Sequence, residues 1–591
     1  MEHQYDTLVK ILDGLRHEAP DSYKSYKPEE GDEDGLVKAR SLAFIHLLLK
    51  VKFGIIDFLK RHQLITDGTQ DGGLDAYFID EERKRLYLIQ SKFRNNAKNF
   101  IEKPITTDEL IKIEVSRITK GFDQDSKEVS FNSKIKDFQS KIRDIRDIAK
   151  YEYIVLLLGN VYKLSDEQIR RAIDNSHYEI YDALSAYENL IFPLVTGMYY
   201  DPDEIIIKLE LSQKESPRLN QKIETDFGQF NVTAIFVSTK EIGRVMLQYK
   251  NAILKYNPRN FLSFKKESVN ADIRRSIVDQ NSNNFAILNN GITLLSENVN
   301  ISESTGKQNE GQLILTKPQI LNGGQTAFTL SSIHEEFKHK AKNPLDGKEV
   351  LLKIITPIAE TESVAPKFIE LISNATNQQN EVSEADRRSN HDIQISIQQK
   401  IYLDYGYFYE RKAGEFYDGI KDGIITRNLV INRLTFIKAY WAFLGEPAAA
   451  RRTSEKNLFR EDKFYSLLHS TEKYYEMFFA YLLFNKMEQI EKDFKSKFDS
   501  VERYGYSLLY GKWAVIASIG ILKPFVNKDV KEIFKQAENE VYEKLDIWKS
   551  FDDFIKQKNK DTKYFQPEKS NYELYYKINK LDDDVKEFFL R

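Results

Sequence analysis

The order of apolar and polar positions predicts most of the first half of the chain. Residues 1–35 open on an amphipathic helix pattern and pass into the acidic stretch KPEEGDEDG. The run from Leu36 to Leu59 is apolar on most faces, which predicts a helix packed against a sheet. A polar Gly-rich turn, DGTQDGG, then leads into a short strand from Leu74 to Ile79. The charged turn DEERK and a second strand, Arg85–Ser91, complete a hairpin. From Ser133 to Lys150, Ile135, Phe138, Ile142, Ile145 and Ala149 recur at three- and four-residue steps, marking one apolar helix face. Lys134, Lys136, Lys141, Arg143 and Arg146 load the other face. Asp137, Asp144 and Asp147 lie among them, so that face reads as a solvated surface. Tyr151–Gly159 is a continuous apolar run, hence a buried strand, and LSDEQIRRAIDNS is a helix with Ser165 as its N-cap. Helix, hairpin, helix, strand is a mixed α/β core.

The polar segment around residues 212–226, SQKESPRLNQKIETD, predicts a boundary. Beyond it, NNGIT (289–293) and NGGQT (322–326) are Asn/Gly turns set after the strand-like runs AIL and QIL. Exposed N–H groups in such turns form anion nests, and the second turn opens a helix, AFTLSSIHEEF, whose N-terminus favours a phosphate. Neither turn is a Walker loop, and tight-turn chemistry alone accounts for many Asn-Gly pairs. From about residue 455 the chain turns helical and aromatic. Tyr474, Phe478, Tyr481 and Leu482 recur at helical steps, which points to core or subunit packing, with stacking on single-stranded bases as the alternative. Arg451 and Arg452 form a small basic patch. The expected fold class is multidomain α/β: an α/β core over 1–215, an α+β region over 216–450 and a helical region over 451–591.

Composition narrows the classes. A chain of 591 residues exceeds what one core can hold. With 41% hydrophobic and 30% charged residues it is globular in type, and at a net charge of −3 any nucleic-acid surface must be a local patch. There is no cysteine, which excludes disulfides and thiolate metal sites. No apolar run reaches the ~20 residues of a membrane span, so no membrane partner is expected. The opening MEHQYDTLVKILDGLRHEAP is not basic-then-apolar, so the expected location is cytoplasmic.

Chemistry concentrates between Asp67 and Arg94. Alternation on the second strand sends Gln90 and Lys92 to one face and Ser91 to the other, while Asp75 lies at the start of the first strand. The hairpin therefore brings together a carboxylate, an amide oxygen and an ammonium group. Asp75 supplies a hard oxygen for Mg²⁺ (or Mn²⁺), with Gln90 as a neutral ligand and Asp71 as a further candidate. Lys92 is suited to orienting a water and offsetting charge on a phosphoryl transition state. Gly72 and Gly73 allow a tight turn before Asp75.

DGGLD…IQSK resembles the D…(D/E/Q)-x-K core of the restriction-endonuclease-like nucleases, in the Mrr-like form with Gln in the middle. The resemblance implies Asp75, Gln90 and Lys92 as the catalytic set, with Mg²⁺ and DNA. These nucleases often carry a Glu on the preceding helix, and ARSLAFIHLLLKVKFGIIDFL has none. Asp57, Asp67, Asp71 and Glu33 are the candidate substitutes, and the choice among them stays open. Farther on, NPRNFL, VN..I, NNGIT, NGGQT and TNQQN, continued by YGYFYERKAGEF and TRNLVINRLTFIKAYWAFLGEP, resemble the AIPR family over roughly 220–460. These are the abortive-infection phage-resistance proteins, so the resemblance implies a bacterial antiphage role. ILNGGQT and TNQQNEVSEAD are also similar to segments of DNA-phosphorothioation regulators and ParB-like proteins. That likeness implies that Asn290, Gly291, Asn322, Gly323, Gly324, Gln325 and Thr326 line a nucleotide or nucleic-acid site, completed by Arg259, Asn377 and Gln378.

The expected function is a defence nuclease acting on DNA, whose AIPR region senses or positions nucleic acid or a nucleotide. RNA or modified DNA are alternative substrates, and a non-catalytic sensor is the alternative class. A homo-oligomer and a phage-derived trigger are the partners left open.

Overall fold

The computed structural model describes residues 2–590 except 82, 107–113, 162, 199–203, 212–217, 256, 258–268, 280–281, 303–308, 359–371, 373–383, 469–470 and 567–568. The chain forms two compact units. One comprises 1–376 and 414–426, the other 377–413 and 427–591.

The first unit begins with α1 (Glu2–His17) and α2 (Glu33–Phe53). α2 ends six residues earlier than the apolar pattern predicts. Gly54 adopts φ 65°, a left-handed cap that side chains resist, and its N–H bonds Leu49 O. Asp57 then caps a separate turn, α3 (Phe58–His62), by accepting from Lys60 N at 2.9 Å.

A four-stranded sheet follows, in the order β1 (Ala76–Asp80), β2 (Arg85–Ser91), β3 (Glu152–Leu158), β4 (His177–Tyr181). β1 and β2 are the expected antiparallel hairpin, whose first strand starts at Ala76 rather than Leu74. β3 and β4 are added in parallel. On one face Phe78 and Tyr87 meet Phe53 of α2, with Phe53 and Phe78 stacked at 4.3 Å. On the other face Tyr77 stacks at 4.1 Å on Phe138 of α4 (Ser133–Asp144). α4 stops short of the predicted Lys150 because Ile145 is extended, with a separate turn at Ile148–Lys150. α5 (Asp166–Ala172) has Ser165 as N-cap in a full capping box.

Two further sheets complete this unit. One has three strands, β5 (Glu204–Glu210), β10 and β9. The other has five, in the order β11-β8-β12-β7-β6. Here β6 is Arg218–Thr225, β7 Gly228–Ser238, β8 Ile292–Leu295, β9 Asn298–Ser302, β10 Glu310–Thr316, β11 Gln319–Asn322 and β12 Glu349–Pro357. The boundary expected over 212–226 thus contains a strand hydrogen-bonded to β7, with 212–217 outside the described residues. Helices α6 (Thr239–Tyr249) and α7 (Gly324–Phe337) enclose an aliphatic core of Ile235, Val245, Leu294, Leu330 and Leu352 with these strands.

The second unit is largely helical, from α8 (Asp392–Tyr405) and α9 (Arg433–Phe443) through α10 (Tyr474–Lys492), α11 (Lys512–Gly520) and α12 (Val530–Lys558). Phe478, Tyr481 and Leu482 are buried, and Phe478 stacks at 4.2 Å on Tyr405, so this aromatic face is core. Arg451 packs on Tyr510 and bonds its carbonyl, and Arg452 donates to Lys577 O. The small basic patch is therefore engaged within the fold.

Candidate metal centre and the Asn-Gly turns

Residues 65–75 form a closed loop at the mouth of the hairpin. Ile65 bridges Ala76, and the N–H groups of Thr66 and Asp67 both donate to Asp75 O, at 2.9 and 3.0 Å. The first and last acidic residues of the loop are thereby drawn side by side. Asp71 fastens the middle: its carboxylate accepts from Gly73 N at 2.8 Å and Gly68 N at 3.0 Å. Gly72 and Gly73 lie at φ 64° and 78°, and a Cβ on Gly72 would stand 2.7 Å from Phe131. Glycine is needed here both for the turn and for the close approach of α4's entry.

The outcome is a row of three carboxylates, Asp67, Asp71 and Asp75, each with a ligand atom within 4.8 Å of the others. Asp75 is innermost, 7% exposed, and its Oδ2 accepts from Ser91 N at 2.6 Å. Burial pushes the Asp75 carboxyl up to about 7. Asp67 and Asp71 add to that rise, while the Ser91 N–H and Lys92 oppose it. Asp67, at the outer end, is raised as well, first by the protein packed around it and then by Asp71. Crowded anionic oxygens of this kind are relieved by a proton or by a hard cation, and an all-oxygen donor set suits Mg²⁺ or Mn²⁺.

The hairpin register ends at Ala76↔Ile89, with Asp75 and Gln90 next on either side, and the Asp75 N–H donates to Ile89 O at 2.9 Å. Alternation from Leu88, opposite Tyr77, sets Gln90 on the α4 side of the sheet. Gln90 is buried, and its Nε2 donates to Gly73 O at 3.2 Å, which orients the amide toward the loop. Lys92 follows β2, held by its N–H on Leu158 O at 2.8 Å, and its charge acts on both Asp75 and Asp67. Asp57 is occupied as a helix cap and Glu33 opens α2, whereas Asp67 and Asp71 lie with Asp75.

Sequence reasoning missed the role of Lys134. Its place at the start of α4 sets Nζ 3.4 Å from Asp67 O, and with Lys92 and Lys38 of α2 it opposes the rise of the Asp67 carboxyl. Nothing in the local pattern separates Lys134 from its solvated neighbours, because the contact depends on loop closure 67 residues away in sequence.

The two Asn-Gly turns are brought against each other. Thr293 pairs with Asn322 between β8 and β11, and Asn289 Nδ2 donates to Thr326 Oγ1 at 3.3 Å. The run preceding the first turn is a helical turn, Phe285–Leu288, rather than a strand, because Asn289 supplies the first extended residue. Gly291 and Gly323 have φ 78° and 84°, and a Cβ on Gly323 would lie 2.8 Å from Gly291 O. The Gly291 N–H donates to Asn289 Oδ1 at 2.9 Å and the Gly323 N–H to Asn322 Oδ1 at 2.8 Å. Those two amides are thus already used within the turns. Asn290 is exposed, Gln325 half-buried and Thr326 buried. Gly324 is packed beside Asn257 at the N-terminus of α7. Arg259, Asn377 and Gln378 lie outside the described residues.

A family model described as AIPR protein matches residues 254–565, more than half of the chain. The chain belongs to the AIPR family. The match begins ahead of the Asn-Gly turns and runs on through most of the helical unit, whereas the carboxylate row lies upstream of it. Membership in the AIPR family suggests an abortive-infection, antiphage role. No curated protein and no solved structure matches this AIPR chain. Among the described residues no helix is long and apolar enough to cross a membrane.

Proposed function

We propose that this AIPR protein is a defence nuclease. Its N-terminal α/β core would hydrolyse phosphodiester bonds of DNA, and its AIPR region would sense or position nucleic acid or a nucleotide. The observation that carries the reading is the carboxylate row, Asp67, Asp71 and Asp75, set beside Gln90 and Lys92 at one end of the sheet. These residues fit a hard divalent cation, held by Asp75 with Asp71 or Asp67 and the Gln90 oxygen. When bound, such a cation supplies Lewis-acid activation and charge neutralisation at a phosphate. Lys92 would orient the attacking water and stabilise negative charge developing on the phosphoryl oxygens. Asp75, raised by burial, would hold a proton near neutral pH when no cation is bound and give it up to ligate one.

The test is cleavage of plasmid and phage DNA with Mg²⁺ or Mn²⁺, comparing wild type with Asp75→Ala and Lys92→Ala. Loss of cutting in both variants is the expected result. Equal activity in all three removes the assignment. A panel extended to single-stranded, modified and RNA substrates assigns the substrate class.

One observation favours a non-catalytic sensor as the second reading: the body of α2, residues 35–53, offers no carboxylate to the row. Such a sensor would bind nucleic acid without metal-dependent turnover. For the AIPR region, calorimetric titration with ATP, CTP and short DNA tests the site at Asn290, Gly291, Asn322–Thr326, Arg259, Asn377 and Gln378. Absence of heat from all three ligands removes it.

A further inference from the structure

The outer edge of the five-stranded sheet is β6, bonded to β7 on its inner side. All eight of its residues are exposed, among them Leu219 at 69% and Ile223 at 41%. No strand among the described residues pairs its outer edge. Long edges with exposed apolar side chains are usually blunted by proline, a bulge or a short strand, because their free N–H and C=O groups template pairing. β6 contains no Pro or Gly, and its register with β7 runs unbroken from Arg218↔Ile235 to Thr225↔Gly228; its one guard is charge, at Arg218, Lys222 and Glu224.

We propose that β6 is a homodimerisation edge, paired antiparallel with β6 of a second copy of this chain, with Gln221 on the two-fold axis. The sequence RLNQKIE is self-complementary about Gln221. In that register Arg218 stands opposite Glu224 of the partner subunit, Leu219 opposite Ile223 of the partner subunit, and Asn220 opposite Lys222 of the partner subunit. Each pairing occurs twice, as an isologous contact requires. Alternation keeps the charged pairs on one face and the apolar pairs on the other. Competing registers are worse. A slip of one residue sets Leu219 against a charged side chain. A slip of two sets Arg218 against Lys222 in one direction and Lys222 against itself in the other. Arg218, Lys222 and Glu224 have no ion pair among the described residues, so their charges are available for this contact.

The experiment uses the full chain. Sedimentation velocity over rising protein concentration is expected to show a monomer converting to a dimer. Arg218→Glu or Glu224→Arg alone sets like charges opposite each other twice and is expected to shift the transition about tenfold or more upward in concentration. The double reversal Arg218→Glu/Glu224→Arg restores the pairing and is expected to restore the dimer. Because the chain has no cysteine, Gln221→Cys introduces a single thiol per subunit. Two such thiols face each other across the axis and are expected to give a covalent dimer on mild oxidation. Thr225→Cys thiols would stand ~26 Å apart, at ~3.3 Å per residue, and are expected to stay reduced. A chain that remains monomeric with no Gln221→Cys link overturns the proposal. So does a dimer indifferent to the charge reversals, or equal linking at both cysteine positions.

Discussion

Divalent-cation binding at the carboxylate row is expected to expel a proton from Asp75. With its carboxyl raised to about 7, Asp75 in the metal-free protein carries ~0.9 proton at pH 6 and ~0.1 at pH 8, and a ligating oxygen must give that proton up. The apparent Mg²⁺ affinity should therefore weaken about tenfold between pH 8 and pH 6, or ~1.4 kcal/mol. The raised carboxyl of Asp67 acts in the same direction. Titration calorimetry in two buffers of different ionisation heat separates proton release from binding. The expected release is close to one proton at pH 6 and much smaller at pH 8. Asp75→Asn keeps an oxygen able to accept from Ser91 N, so the loop should survive. The substitution removes one charge, so Mg²⁺ binding should weaken and the release assigned to Asp75 should vanish. An affinity indifferent to pH, with no proton released at pH 6, refutes the reasoning. A variant that binds Mg²⁺ as wild type does would remove Asp75 from the site.

Three stability predictions follow from groups elsewhere in the fold. Gly323→Ala forces a side chain into left-handed backbone and within 2.8 Å of Gly291 O; a loss of ~2 kcal/mol or more is expected, read as a fall in the melting temperature of the first unit. Arg433 holds the buried Asp386 at 2.6 Å and the half-buried Glu455 at 2.9 Å, so Asp386→Ala removes its buried counter-charge while Glu455 stays, and should destabilise the second unit by ~2 kcal/mol in urea unfolding. Asp552, buried beneath the Tyr506 N–H and Tyr576 hydroxyl, is raised from 3.8 to about 7 by burial. Between those values the folded state holds a proton that the unfolded chain has lost, so this contribution is intact below about pH 4 and fades as pH rises to about 7. The full swing is up to ~4 kcal/mol. Urea midpoints at pH 5 and 8 should converge in Asp552→Asn relative to wild type.

The hairpin was legible because its signals are local. Arg85–Ser91 forms as the alternation predicts, and the turn closes where Asp80 accepts from Arg83 N at 3.0 Å. α2 was legible as a helix packed on a sheet but not in its end, since an apolar run continues through Gly54 and only backbone geometry stops it. The edge strand β6 was hidden for the opposite reason. Its residues are polar enough to read as linker, and only the long-range partner β7 makes them a strand.

The carboxylate row shows why a site is harder to read than the elements that carry it. Asp67, Asp71 and Asp75 are spaced by four, which in a helix would stack them on one face, yet no helix exists here. Their convergence comes instead from three backbone facts: two N–H groups on Asp75 O, two positive-φ glycines, and two N–H groups on the Asp71 carboxylate. Those bonds already satisfy part of Asp71, whereas Asp75 holds one short bond from Ser91 N and the burial that raises its carboxyl. The division of labour follows from that difference. Asp71 builds the loop, and its removal should disorganise the row, whereas Asp75 carries the charge that the fold holds in a desolvated place. A carboxylate kept there against its own desolvation is strained toward a cation, and this physical ground makes Asp75, rather than its more exposed neighbours, the centre of the proposed chemistry.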